Sequence, residues 1–332
     1  KYEGIETKFY ITEVSSGNEI EINDEVQFKL LQKSKEYSNP REEETDSKFP
    51  EIVKNIALIY VQKGENDLAI SAIKEARAIN PNDVNLILSE ADLYIKIGDK
   101  NKFKELMQQA VEKDPNNAIL YYNLGVINGE QGEFKIAKEF YLKALELDDD
   151  SGRAHNTLAI VFQQEGELAL AETHFRKAIK IDQDFAAARN NYGAFLFSQQ
   201  RTEEAIEQLQ IAADNRFYNR RHQAFENLGV AFLELGSIDA ARVSFERAIA
   251  LNPSQSRALL ELAVLEYDAQ EFSRSKNLYL RYVDNSAQNA KSLNLCMGLF
   301  KRFSDNNRVA SCRMMLKNVF PKSMEYHAIR DQ

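Results

Sequence analysis

Residues 152–185 read GRAHNTLAIVFQQEGELALAETHFRKAIKIDQDF, and residues 186–219 read AAARNNYGAFLFSQQRTEEAIEQLQIAADNRFYN. Aligned at a spacing of 34, they place Ala159 over Gly193, Ala171 over Ala205, Phe175 over Leu209 and Ala178 over Ala212. The register extends in both directions. Ala57, Ala91, Gly125, Ala159 and Gly193 stand 34 residues apart, Gly229 follows after 36, and Ala263 and Met297 follow at 34 each. A fixed period of this length marks a stack of supersecondary units, none of which can bury its apolar face alone. With these residues at the eighth position, eight repeats begin at 50, 84, 118, 152, 186, 222, 256 and 290.

Each repeat reads as two helices, A and B, and the recurring positions have separate physical tasks. Small residues at position eight of helix A and position twenty of helix B (Ala69, Ala137, Ala171, Ala205, Ala241) let the two helices approach closely. Large residues at positions four, seven, eleven and twenty-four fill the surrounding space, as a packed core requires. Position twenty-four holds Ile73, Met107, Tyr141, Phe175, Leu209, Phe245 and Tyr279. Glycine at position fifteen (Gly64, Gly98, Gly132, Gly166, Gly236) suits the left-handed residue that ends helix A. Proline at position thirty-two (Pro81, Pro115, Pro253, Pro321) stops helix B. Asp149, Gln183, Phe217 and Ala287 replace it in the other repeats, and the last repeat departs further, with Cys296, Met297 and Arg313 at core positions. Two extra residues near 216–221 predict a longer helix or a longer turn.

Residues 1–49 lie outside the period. Lys8–Val14 and Glu19–Ile22, joined by Ser15–Asn18, read as a small hairpin; residues 24–37 read as a helix and 38–48 as an acidic connector. The expected divisions are an N-terminal extension (1–49), three repeats (50–151), five repeats (152–323) and a short cap (324–332). Residues 1–150 carry a net charge of −11 with 17 Lys and 2 Arg, whereas residues 151–332 carry +2 with 7 Lys and 16 Arg. We read this change in basic residue as a seam between sequences of different origin. The chain opens at Lys1 without Met or an apolar leader, which reads as a processed or partial chain.

No segment carries a phosphate loop, a nucleophile elbow or a paired-histidine zinc motif, so neither a cofactor nor a metal nor catalysis is expected. His155 takes a core position and is expected to be structural. His174 and His222 lack acidic or thiol partners at metal-ligand spacing. Cys296 and Cys312 fall on the two helices of one repeat and are expected as buried free thiols. Arg216, Arg220 and Arg221, with Phe217 and Tyr218 among them, form the notable basic cluster, but the overall charge of −9 argues against nucleic-acid binding. No apolar run is long enough for a transmembrane helix.

From Pro50 to about Ser323 the pattern resembles the tetratricopeptide repeat (TPR) family. The resemblance implies an all-α, right-handed superhelix (an α-solenoid) whose A helices line a concave protein-binding face through positions two, five, nine, twelve and thirteen. Repeats 152, 186 and 222 place Asn156, Ile160, Gln163, Asn190, Ala194, Phe197, Glu226, Val230 and Leu233 there. The Lys and Asn four apart that some family members use as a carboxylate clamp are absent, since Lys54 is followed by Leu58.

Residues 152–332 also resemble the PilF/PilW family of type IV pilus biogenesis proteins. The matching stretches are Ala154–Gln163, Asn190–Leu196, Glu226–Gly229, Gln288–Leu293 and Phe320–Tyr326; the last two lie outside the generic repeat positions. This resemblance implies a non-catalytic scaffold at the periplasmic face of the outer membrane that helps the pilus secretin ring assemble. Residues 1–151 instead resemble other bacterial TPR proteins, through Ile52–Ala57 and Tyr122–Gly125. A natural or engineered fusion follows as an expectation, with a general TPR adaptor as the alternative function. Because the register crosses residue 150 without interruption, one continuous superhelix is expected. The sequence leaves the oligomeric state open.

Overall fold

Side-chain size at a few repeat positions decides how closely the helices pair. The computed structural model describes residues 10–12, 19–21 and 49–330, which divide between two compact units, residues 1–149 and 150–332. In the first, strands β1 (Tyr10–Thr12) and β2 (Glu19–Glu21) pair antiparallel with Ile11 opposite Ile20. The helix expected over 24–37 and the connector over 38–48 lie outside the described residues. Three helix pairs follow: α1 (Phe49–Gln62) with α2 (Asn66–Ile79), α3 (Val84–Lys96) with α4 (Lys100–Lys113), and α5 (Ala118–Glu130) with α6 (Phe134–Leu147).

The second unit has five pairs: α7 (Gly152–Glu165) with α8 (Leu168–Ile181), α9 (Ala186–Ser198) with α10 (Thr202–Asp214), α11 (Arg221–Glu234) with α12 (Ile238–Leu251), α13 (Ser256–Asp268) with α14 (Phe272–Asn285), and α15 (Ala290–Arg302) with α16 (Asn306–Val319). A short helix, α17 (Met324–Arg330), packs on α15 and α16. These are the expected TPR-type helix pairs.

The packing follows from the small positions. Ala69, Ala137, Ala171, Ala205 and Ala241 are wholly buried, as are Ala110, Ala178, Ala212 and Ala248 at position twenty-seven. In three repeats position eight is glycine because the position-twenty-four side chain fills the space of a Cβ. A Cβ on Gly125 would stand 2.4 Å from the Tyr141 ring, one on Gly193 2.6 Å from Leu209, and one on Gly229 2.5 Å from Phe245. Adding one carbon there would force the two helices apart, at a cost of roughly 1–3 kcal/mol for overpacking.

Helix A ends alike in all eight repeats. Gly64, Gly98, Gly132, Gly166 and Gly236 have φ between 70° and 87°, the left-handed region expected at position fifteen. Where glycine is missing, Gln200 (φ 61°), Gln270 (φ 62°) and Ser304 (φ 57°) adopt the same backbone. The fold imposes this conformation on residues that disfavour it. The two extra residues lengthen a turn: residues 215–220 separate α10 from α11, while α10 keeps 13 residues.

One expectation is overturned. Cys296 and Cys312 are not free thiols but a disulfide, with their Cα atoms 6.4 Å apart. They occupy positions seven and twenty-three of the last repeat, which face each other across the helix pair. A Cα separation of this size lies within the range a disulfide spans.

Candidate protein-binding face

Within the second unit each A helix touches the A helix of the next repeat, so α7, α9, α11, α13 and α15 form one face. Amide side chains on neighbouring repeats hydrogen-bond across it. Asn191 Nδ2 donates to Asn156 Oδ1 at 3.1 Å, and Asn227 Nδ2 donates to Asn190 Oδ1 at 3.1 Å. Asn156 and Asn190 are buried, and a buried amide oxygen needs such a donor. Each repeat thus supplies an acceptor at position five to a donor at position six of the next.

In the following repeat position five is Glu226, whose carboxylate serves the start of α13. Glu226 Oε2 accepts from the Ala258 backbone N–H at 3.1 Å and from Gln255 Nε2 at 2.8 Å. The first N–H groups of a helix lack intrahelical acceptors, and a carboxylate there also meets the positive end of the helix dipole. Glu226 therefore caps its neighbour.

Three of the nine candidate residues, Asn156, Asn190 and Glu226, thus hold repeat to repeat. Of the other six, Ala194 is exposed, while Ile160, Gln163, Phe197, Val230 and Leu233 are half-buried. This accessible set is mainly apolar and contains no charge. Sequence reasoning missed Asn191 and Asn227 as the partners of the buried amides. The available signal was the recurrence of asparagine at positions five and six, in Asn156, Asn190–Asn191 and Asn227.

Charge is organised elsewhere, mainly through the B helices. Glu172 on α8 accepts from Arg176 Nη2 at 2.8 Å, Tyr192 Oη at 2.9 Å and Arg201 Nη1 at 2.9 Å. Burial alone would raise its pKa, but these three donors outweigh burial and lower the carboxyl to about 2. Burial, followed by the bond to Glu172, pushes the Tyr192 phenol up to about 12. A second network centres on Glu266, which is buried and accepts from Arg242 Nε at 3.1 Å, with Arg274 3.6 Å away.

His155 is buried, and its Nδ1 lies 2.8 Å from Nδ1 of His174, so one ring donates and the other accepts. In the basic cluster, Arg221 donates to the Ala213 carbonyl at 2.9 Å and lies over the Phe225 ring. Tyr218 is partly enclosed, whereas Phe217 projects with 99% of its surface exposed. Among the described residues no three His, Cys, Asp or Glu side chains gather as a metal site, and no helix is long and apolar enough to cross a membrane.

Family profiles described as tetratricopeptide repeat match residues 60–125, 118–151, 156–219 and 223–290. The type IV pilus assembly protein PilF of Pseudomonas aeruginosa is 38% identical over 137 residues, covering 41% of this chain and 54% of that protein. The chain thus spans about half the length of this curated relative. A solved structure of Pseudomonas aeruginosa PilF is similar at 37% identity and a TM-score of 0.63, covering 64% of this chain and 96% of that one. The crystal structure of PilW, a type IV pilus biogenesis factor, shares the fold at 22% identity and a TM-score of 0.56, covering 64% of this chain and 98% of that one.

Proposed function

We propose that this chain, which belongs to the tetratricopeptide repeat family, is a non-catalytic scaffold whose second unit binds a segment of the type IV pilus machinery. The observation that carries this reading is the accessible apolar strip of Ile160, Phe197, Val230 and Leu233. It runs over three successive A helices whose buried amides are already paired within the chain. Such a strip suits an extended or helical partner segment, with apolar side chains as anchors.

The similarity to PilF directs the choice of partner. We assign it as a pilus secretin or its assembly intermediate, met at the periplasmic face of the outer membrane. The Cys296–Cys312 disulfide fits that compartment, because disulfides persist where the surroundings are oxidising. The net charge of +2 on residues 151–332 provides little long-range steering, so binding should depend on shape and apolar contact and weaken only modestly with salt.

Complementation tests this reading. The chain is given a lipidated N-terminus and expressed in a Gram-negative strain lacking its own PilF-type protein. Recovery of secretin multimers supports the proposal. A stable, correctly localised lipoprotein that restores none favours a general TPR adaptor.

A further inference from the structure

We propose a second ligand site, separate from the apolar strip, in the cleft enclosed by the last two repeats and the terminal helix. Its ligand class is a peptide segment presenting an Asp or Glu carboxylate beside an apolar side chain. The inference rests on the reading of the chain as a protein-binding scaffold, but not on a pilus partner. The cleft has a volume of about 400 Å3, at the lower end of what ligand pockets offer. Met297 and Val309 contribute apolar surface, and Asp268, Lys291, Lys301 and Arg313 contribute charge.

The repeat pattern makes Arg313 informative. Position twenty-four holds a large, buried apolar side chain in the seven preceding repeats, from Ile73 to Tyr279. Here it is an exposed arginine lining the same cavity as Met297, the position-eight residue it would otherwise cover. Helix pairing does not call for a cation there, and an apolar residue would bury more surface. Lys301, one of the lysines of α15 on the cavity wall, is likewise exposed. Neither Lys301 nor Arg313 forms an ion pair with a described residue. Lys291, by contrast, pairs with Glu261 at 2.6 Å.

Gly298 shapes the cleft. A Cβ on it would stand 2.7 Å from the Tyr267 hydroxyl oxygen, so glycine lets that hydroxyl lie against α15. The hydroxyl has no hydrogen-bond partner among the described residues and is available to a ligand. Two cations without an ion pair among the described residues, and a hydroxyl beside an apolar floor, complement a carboxylate held next to an apolar group. Asp268, also on the lining, leaves a surplus of positive charge among the lining residues.

Met297 lines the cleft, so its methyl group reports on occupancy. The test uses the full chain carrying 13C-methyl methionine, with the Met297 signal assigned through Met297→Leu. Two degenerate pools of blocked tetrapeptides are titrated in, each with an apolar second residue, followed by Asp or Glu in one pool and Asn or Gln in the other. The expected result is a shift of the Met297 signal with the acidic pool alone, weakened about tenfold in Lys301→Gln/Arg313→Gln and weakened by 0.5 M NaCl. Both substituted residues are exposed, and circular dichroism confirms that the variant is folded. No shift, an equal shift with the amide pool, or an equal shift with inorganic phosphate alone overturns the proposal. A chain that responds to the acidic pool but does not complement a pilus strain retains this inference and loses the pilus reading. A chain that complements but ignores the pool does the reverse.

Discussion

Gln200 holds a φ of 61° where five other repeats place glycine. A side chain in this region meets its own carbonyl, and glycine relieves the clash. Glycine also gives the unfolded chain more freedom, which offsets part of the gain. Gln200→Gly should therefore raise stability by about 0.5 kcal/mol, read as a higher urea midpoint with an unchanged slope. Phe197 poses the opposite question, because it is half-buried on the proposed binding face. Phe197→Ala should weaken partner binding by roughly 2 kcal/mol and leave helicity and melting nearly unchanged. A large fall in melting temperature would show that the ring belongs to the core instead. Phe197 was assigned to the proposed face from its repeat position alone. The structural duty of Glu226 was not legible in the sequence, because the groups that donate to it lie about 30 residues on, Gln255 at the end of its own repeat and Ala258 in the next.

At the scale of elements, neighbouring repeats are joined by polar contacts that the apolar period does not specify. Glu172 on α8 receives Tyr192 from α9 and Arg201 from the turn before α10. Its pKa falls from an ordinary 4.5 to about 2, with burial opposing and the hydrogen bonds prevailing. A carboxyl depressed on folding adds stability above its unfolded pKa and loses it as pH falls through the folded value. The contribution is therefore complete above about pH 4.5 and declines toward pH 2. It is modest, because the side chain remains partly exposed and screened by solvent. Glu172→Gln should lower the urea midpoint at pH 7, and its deficit against the parent should shrink between pH 4.5 and 2.5. An equal deficit at both ends would mean that ionisation of Glu172 adds nothing. The helix pairs themselves were legible because Ala171, Phe175 and Ala178 recur as Ala205, Leu209 and Ala212. The amide contacts were less so, since Asn156 and Asn191 belong to different repeats and neither breaks the period.

For each unit as a whole, stability should resemble a sum over repeats and their interfaces, so the ends open first. On the last described repeat lies the short helix α17, and Met314, Met315 and Val319 remain exposed. The Cys296–Cys312 disulfide ties its two helices together across a separation of 16 residues. Reduction should destabilise this repeat by about 3 kcal/mol, seen as faster hydrogen exchange in α15 and α16 while α9 to α12 keep their protection. Uniform loss along the unit would mean that it unfolds all at once. The pairing was not legible because a buried cysteine packs as a small apolar residue, and positions seven and twenty-three show no contact in sequence. The disulfide also gives the protein a mechanical asymmetry. Tension applied through the C-terminus can peel α17 away and strip the turns beyond Cys312, but the chain between the two cysteines cannot be drawn out. About 55 Å of contour length stays locked, and pulling the oxidised and reduced chains should reveal that difference as a shorter first extension step.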